Sequence, residues 1–367
     1  MKQIFFNWID SLLTMPVTGL DISARTIKYL AFRRTRNRRL TIDYFGEVDI
    51  PEGVVVKGEI NQEGEFTEAL RSLLKTGEKK IRASLFTAAL PEEKSFLRLI
   101  QIPAIKQEDI AHAVRWEIEN QIPLPAEEII YDYEIMDTSE KPEHLDVQIT
   151  AFPRNLISSY VRAFRAANMQ LVALELESQS IVRALWGSGE AGARIILDIG
   201  RTRSSIVLFS GGTMLFTSTL EIGGIIFEKH IAEHLGVSLQ EADTIKKEDG
   251  LNKKARKGEV YQALLPAVAT LANELSRARD YYRGHEGHEG SLQRDIDAIL
   301  LSGGDANLIG LDAYLSRTLN IPTARADPFA AINDLTNYDI PPMTRAQAMS
   351  YTAAIGLALR GAGNHSI

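Results

Sequence analysis

No cysteine occurs in the 367 residues, which removes disulfides, thiolate metal centres and cysteine nucleophiles at once. No apolar run approaches the roughly 18–20 residues that a membrane-crossing helix needs. The N-terminus also lacks the basic start of a secretion signal: Lys2 is its only base, and Asn7 and Asp10 interrupt the apolar stretch. There is no excess of basic residues either. A net charge of −7 and a pI near 5.6 argue against a dedicated nucleic-acid binder. What remains is the composition of a globular protein, 45% hydrophobic and 24% charged. The length predicts two domains.

One stretch organises the rest. Ile195-Ile196-Leu197 reads as a buried strand that ends in Asp198-Ile199-Gly200. It turns through Arg201-Thr202-Arg203-Ser204-Ser205 into a second apolar run, Ile206-Val207-Leu208-Phe209. The spacing predicts a β-hairpin whose tip carries an acid, a glycine and several hydroxyls. Glycine lets backbone approach an anion, and turn N–H groups converge on it as a nest. An aspartate there orients the water shell of a phosphate-bound Mg²⁺. Asp198 is therefore the metal-side candidate, with Gly200, Thr202 and Ser204 as N–H and hydroxyl donors. Ordinary turn chemistry accounts for the same glycine and serines, so recurrence matters. Val17–Phe32 repeats the layout: Asp21-Ile22, then Ser23-Ala24-Arg25-Thr26, then an apolar strand with Lys28 near its start. A third piece, Ile299–Ala306, runs as a strand into Gly303-Gly304 ahead of a helix.

The remaining chain reads as alternating elements. Phe5, Trp8, Ile9 and Leu12 give Met1–Met15 helical spacing, either as a helix docked on its own domain or as one lying on a membrane or partner. Five arginines crowd the expected turn Arg33–Arg39, a solvated turn or a face for acidic headgroups. Helices are expected over Phe66–Leu74, Gln107–Asn120, Asn155–Ala167, Ser178–Trp186 (capped by Ser178), Ile225–Leu235, Ser238–Lys247, Val260–Arg283, Ile309–Leu319 and Arg345–Arg360. Ser238 and Glu241 have capping-box spacing. Strands are expected over Ile81–Leu90, Phe96–Ile102, Ile129–Met136, Leu145–Phe152, Met169–Glu175 and Thr213–Leu220. Gly187–Gly192 reads as a hinge. The His and Glu residues of Gly284–Gly290 sit in a glycine-rich loop without the rigid spacing of a structural metal site.

Two Asp-bearing hairpins followed by a Gly-Gly turn resemble the actin-like ATPase superfamily, which includes actin, sugar kinases, MreB and FtsA. Within it, several pieces are similar to the type IV pilus assembly protein PilM family: Ile102-Pro103-Ala104 with Ala113–Pro125, Tyr160–Leu185, Glu221-Ile222-Gly223-Gly224, Ala278–Arg283 and Leu301–Leu311. They cover most of the chain in the family's order. The resemblance implies an α/β, actin-like ATPase fold, with two similar RNase H-like domains around a nucleotide cleft and an FtsA/PilM-type 1C subdomain inserted in the first. The implied division is an N-terminal amphipathic segment (1–16), domain I or 1A (17–90, 147–188 and 341–367), 1C (91–146) and domain II or 2A/2B (189–340).

The same resemblance implies ATP or ADP with Mg²⁺ as cofactors. Asp21 and Asp198 would act on the metal through water, and Ser23 and Lys28 would complete the first phosphate loop. Gly303 and Gly304 would lie by the adenosine. Lys246 matches a helix that carries a ribose-side lysine in MreB-like relatives. Glu177 stands where MreB-type proteins place a water-orienting Glu, although their Glu-Pro-x-Ala reads Glu177-Ser178-Gln179-Ser180 here. The first loop departs from the family too. PilM relatives read Asp-Ile-Gly-Ser-Ser-Ser where this chain has Asp21-Ile22-Ser23-Ala24-Arg25-Thr26. Arg25 either replaces lost hydroxyls with charge or fills the phosphate position itself.

The implied role is binding, with at most a slow ATPase. It is that of a cytoplasmic pilus-assembly component at the inner face of the cytoplasmic membrane, holding the N-terminal tail of a PilN-like inner-membrane protein near the junction of 1A and 1C. Other pilus assembly proteins and self-association are further expected contacts, and no nucleic acid is. Two rivals share the fold: a filament-forming FtsA- or MreB-like ATPase, and a metabolic kinase, for which no substrate-side acid motif is found. The cytoplasmic part of a type II secretion GspL protein is disfavoured, because no membrane span follows.

Overall fold

The computed structural model describes residues 17–35, 39–75, 81, 85–136, 144–186, 192–211, 213–285, 295–332 and 341–362. The Met1–Met15 helix, the Gly284–Gly290 repeat beyond His285 and most of the Gly187–Gly192 hinge lie outside the described residues, as do Arg36 and Arg38. The chain forms two compact units. One takes the described residues up to Ala184, Pro341 with Pro342, and those from Ala353; the other takes Leu185 to Ile332 and Met343–Thr352.

The first unit opens with three antiparallel strands, β1 (Val17–Ile22), β2 (Thr26–Arg34) and β3 (Leu40–Asp49). A small hairpin, β4 (Val55–Val56) and β5 (Glu59–Ile60), leads to helix α1 (Glu63–Leu73) and strand β6 (Leu85–Leu90). After an excursion the chain adds α3 (Arg154–Ala166), β10 (Gln170–Leu176) and α4 (Glu177–Leu185). The sheet order is β10-β6-β1-β2-β3, with β6 parallel to both β1 and β10. Phe66, Leu70 and Leu73 of α1 and Tyr160 and Phe164 of α3 recur at helical spacing and fill one core with Leu20, Ile27 and Phe86 from the sheet.

The excursion is a body with its own core. Strand β7 (Phe96–Pro103), helix α2 (Gln107–Gln121), β8 (Ile129–Met136) and β9 (His144–Pro153) build a three-stranded sheet of order β7-β9-β8. Ile110, Val114 and Ile118 of α2 pack on Ile100, Ile102, Val147 and Ile149. Because β9 is the central strand, this sheet extends to Pro153, past the expected limit at Asp146.

The second unit repeats the first topology. Strands β11 (Ala193–Ile199), β12 (Ser204–Ser210) and β13 (Thr213–Leu220) are followed by helices α5 (Gly224–Leu235), α6 (Leu239–Asp249) and α7 (Glu259–His285). Then come β14 (Ile296–Ser302), α8 (Leu311–Leu319) and β15 (Thr323–Arg325). The order β13-β12-β11-β14-β15, with β11-β14 and β14-β15 parallel, matches the first sheet strand for strand. Ser238 and Glu241 form the expected capping box at α6, each bonding the other's backbone.

Two expected elements differ. The single helix over Arg345–Arg360 is split into α9 (Arg345–Met349) and α10 (Thr352–Gly361). The Met349 carbonyl that would continue it accepts instead from the Gly303 N–H at 3.1 Å and the Thr352 hydroxyl at 2.9 Å. Ser178 is not a cap either, since α4 starts one residue earlier. Glu92 supplies the missing acceptor: its carboxylate takes the Ser178 N–H at 2.6 Å, while Gln179 reaches back to the Leu176 N–H at 3.1 Å.

Helix α10 is buried throughout Ala353–Leu359 and lies on β1 and β6 of the first sheet. The Thr87 hydroxyl donates to the Leu357 carbonyl at 3.1 Å, and a Cβ at Gly19 would stand 2.5 Å from the Ala354 oxygen. Glu175, 3% exposed, holds α10 to α4 by pairing with both Arg183 and Arg360.

Candidate functional site

The two Asp-bearing hairpins have the same frame. Ile22 pairs with Ile27 and Ile199 with Ser204, so each tip holds four residues. Each is closed by a bond from its first residue to its fourth: Ser23 N–H to Thr26 O and Gly200 N–H to Arg203 O, both 2.9 Å. Position for position, Ser23-Ala24-Arg25-Thr26 corresponds to Gly200-Arg201-Thr202-Arg203.

Their chemistry differs at that first position. The Ser23 hydroxyl accepts the Thr26 N–H at 3.0 Å and the Arg25 N–H at 3.3 Å. Those amides are the donors that a phosphate would need, and here the loop satisfies them itself. The Arg25 guanidinium pairs with Glu52 at 2.9 Å on the exposed surface. Gly200 has no hydroxyl to do the same. Thr202 is exposed, and its side chain forms no hydrogen bond among the described residues.

The aspartates also have different neighbours. One row of the first sheet runs Asp21, Lys28, Glu47, so the candidate phosphate lysine lies between two acids. A cross-strand charge pair of this kind stabilises by roughly 0.2–1 kcal/mol. The corresponding row of the second sheet runs Ser302, Asp198, Ser205, Thr219, with hydroxyls and no cation. Among the described residues no group of three or more His, Asp or Glu is arranged to ligate a metal.

Around the second hairpin the other candidates are packed closely. Ser204 is buried and its hydroxyl donates to the Ile222 carbonyl at 2.5 Å. The Gly200 and Arg201 carbonyls accept from the Gly224 and Ile225 N–H groups at 3.1 and 2.9 Å, which fixes the tip on the start of α5. Gly303 has φ +89°, and a Cβ there would lie 2.3 Å from the Ile199 oxygen, so only glycine fits. Gly304 is exposed, and a Cβ added to it would meet nothing closer than the Ser350 Cβ at 3.5 Å. Glu177 is half-buried at the first position of α4, in the first unit.

Lys246 is the most altered candidate. Its side chain is 5% exposed and bonds Glu228 at 2.7 Å, Asp305 at 2.5 Å and Asp243 at 3.3 Å. Burial works against its charge, but Asp305 and Glu228 outweigh burial and hold the ammonium above the usual lysine range. Glu228 in turn takes both arms of the Arg201 guanidinium, at 2.6 and 2.9 Å. Glu228, Asp305, Asp243 and Arg201 were not singled out by spacing. The signal was present for Glu228, an acid among the buried residues Gly224, Phe227 and Ile231 of α5.

The profile of the family described as type IV pilus assembly protein PilM matches residues 19–362. The chain belongs to the PilM family. A solved structure described as the PilM–PilN type IV pilus biogenesis complex superposes with a TM-score of 0.78 at 24% identity, over 95% of this chain and 99% of that one. The ethanolamine utilization protein EutJ from Carboxydothermus hydrogenoformans gives 0.53 at 17% identity, over 93% and 88%. MreB5 of Spiroplasma citri bound to ADP gives 0.53 at 14% identity, over 86% and 93%. This PilM-family chain therefore has the actin-like ATPase fold, and its duplicated sheets are the two halves of that fold. Among the described residues no helix is long and apolar enough to cross a membrane.

Proposed function

We propose that this PilM-family protein is a nucleotide-binding assembly component of the type IV pilus machinery, and that it holds the cytoplasmic N-terminal tail of a PilN-like inner-membrane protein. Family membership over residues 19–362 carries the pilus role. The likeness to a PilM–PilN complex supports the partner, and the likeness to an ADP-bound MreB5 supports a nucleotide. The protein works in the cytoplasm at the inner membrane face, held there by its partner. The inserted body, with its separate core, is the candidate partner site, since a sheet edge or helix groove takes an extended tail without disturbing the main sheet.

The residues fit ATP or ADP unevenly. The second hairpin fits, with Gly200 placing no side chain at the first tip position and Asp198 able to hold a metal through its water shell. Gly304 offers open backbone toward a base or ribose. In the first unit the fit rests on Asp21 and Lys28, because Ser23 caps the loop amides. Held through water by Asp21 and Asp198, Mg²⁺ would neutralise phosphate charge. Glu177 is the candidate for orienting water, and a self-capped first loop makes turnover slow. The protein's output is then a nucleotide-dependent affinity for its partner.

Two measurements test this. Saturating ATP with Mg²⁺, at about 100 times Kd, should stabilise the fold by about 2.7 kcal/mol. A peptide with the sequence of a PilN-like tail should bind the intact protein and fail to bind a folded variant lacking Phe96–Pro153. No thermal shift with any nucleotide would refute the cofactor, and unchanged peptide binding by the deletion variant would refute the location.

A further inference from the structure

Four charged side chains from separate elements of the second unit meet in one chain of contacts. Arg201 belongs to the hairpin tip, Glu228 to α5, Lys246 to α6 and Asp305 to the turn after β14. Glu228 is 3% exposed and binds Arg201 with both oxygens, and Lys246 bridges Glu228 to Asp305. A buried ion network of this kind is weak evidence for stability, because apolar side chains of equal volume pack as well or better. Its distinctive property is geometric, since a bidentate guanidinium and a three-way ammonium each fix direction. Gly224 supplies an independent observation. A Cβ there would lie 2.2 Å from the Asp305 carboxylate, so the start of α5 leaves room for Asp305 to reach Lys246.

We infer that Arg201–Glu228–Lys246–Asp305 is a positioning relay that sets the hairpin tip 200–203 relative to the turn 303–305, so that nucleotide affinity depends on residues that do not touch the nucleotide. The inference rests on the nucleotide-binding reading for its consequence, though not for the coupling itself. It changes the role of Lys246. With Glu228, Asp305 and Asp243 around it, the ammonium is spent on the relay instead of on a ribose hydroxyl. Arg201 is likewise drawn down to Glu228, away from any phosphate above the tip.

Hydrogen–deuterium exchange of the full chain without nucleotide tests the coupling. In Arg201→Ala, amides of 200–203 and 303–307 should both exchange about tenfold faster, while β6 in the other unit is unchanged. Arg201→Lys keeps the charge but loses the fork, and should recover the 303–307 protection only in part. Faster exchange confined to 200–203 in Arg201→Ala and in Glu228→Gln overturns the relay. Should Glu228→Gln not fold, Glu228→Gln/Lys246→Met removes one charge of each sign and carries the same test. Calorimetric titration with ATP and Mg²⁺ tests the consequence: Arg201→Ala should weaken binding about tenfold, and unchanged affinity overturns it. A wild-type protein that binds no nucleotide refutes the proposed cofactor, and the exchange experiment still decides the coupling.

Discussion

The two hairpins show how one backbone frame can carry two different sites. Both tips have four residues, the same closing hydrogen bond and an Asp-Ile entry. At the first tip position they differ by a hydroxymethyl side chain. Ser23 turns the first tip's amides inward, while Gly200 has no side chain with which to do so. The flanking rows reinforce the difference, since Asp21 stands beside Lys28 and Asp198 beside serines. The two sheets thus share one scaffold and differ in side chains that do not alter strand pairing.

Removing each aspartate in turn should separate the two hairpins most widely. Asp198→Ala should lower the affinity for ATP with Mg²⁺ by about 100-fold, ~2.7 kcal/mol, as read by calorimetry. Asp21→Ala, already beside a lysine, should cost only about tenfold. Equal losses would show that the two hairpins contribute alike.

Exchanging the first tip residue sharpens the comparison further. In Gly200→Ser the new Cβ would lie 3.3 Å from the Arg203 oxygen, a contact that small shifts relieve. The hydroxyl should cap the second tip and weaken nucleotide binding about tenfold, with the apo melting temperature nearly unchanged. Ser23→Gly should do the reverse on a smaller scale. It should tighten binding about threefold and destabilise the apo protein by roughly 0.5–1.5 kcal/mol, through lost hydrogen bonds and added chain entropy.

The smallest effect is one of pH and distinguishes the second unit alone. The folded pKa of Lys246 lies above its unfolded value. The relay's contribution is therefore complete below about pH 10.4 and is lost as pH rises through the raised folded value. Asp243 goes the other way. Burial opposes ionisation, but Lys247 and Lys246 overcome it and lower the pKa. Its contribution is present above about pH 3.9 and lost as pH falls through the lowered value. In Glu228→Gln the alkaline fall in stability to urea should begin at lower pH than in the wild type.

Much of the fold was legible because hydrophobic period and turn chemistry are local. Ile195–Leu197 and Ile206–Phe209 paired as their spacing predicted, and Ser238 with Glu241 formed its capping box. The aspartates and the Gly-Gly turn were found in the same way, as short patterns that repeat. What the sequence concealed is long-range. Glu92 caps a helix that begins 85 positions later, at Glu177, so Ser178 looked like the cap. The Met349 carbonyl is taken by Gly303, so Arg345–Arg360 looked like one helix. The surroundings of Lys246 come from three elements, and an isolated lysine on an amphipathic helix looks the same whether it is solvated or enclosed.

Helix α10 has a consequence for the order in which the molecule can be completed. Strands β1 and β6, on which it lies, are made before Leu176, whereas Thr352–Gly361 come only after the whole stretch 177–351. At roughly 5–20 residues per second, the interval between Leu176 and Thr352 lasts about 10–35 s. For that time the nascent first sheet has no α10 to cover Gly19 and Thr87, and Glu175 has Arg183 without Arg360. The second unit, nearly continuous in the chain, finishes first. The half that is encoded first is the half that matures last.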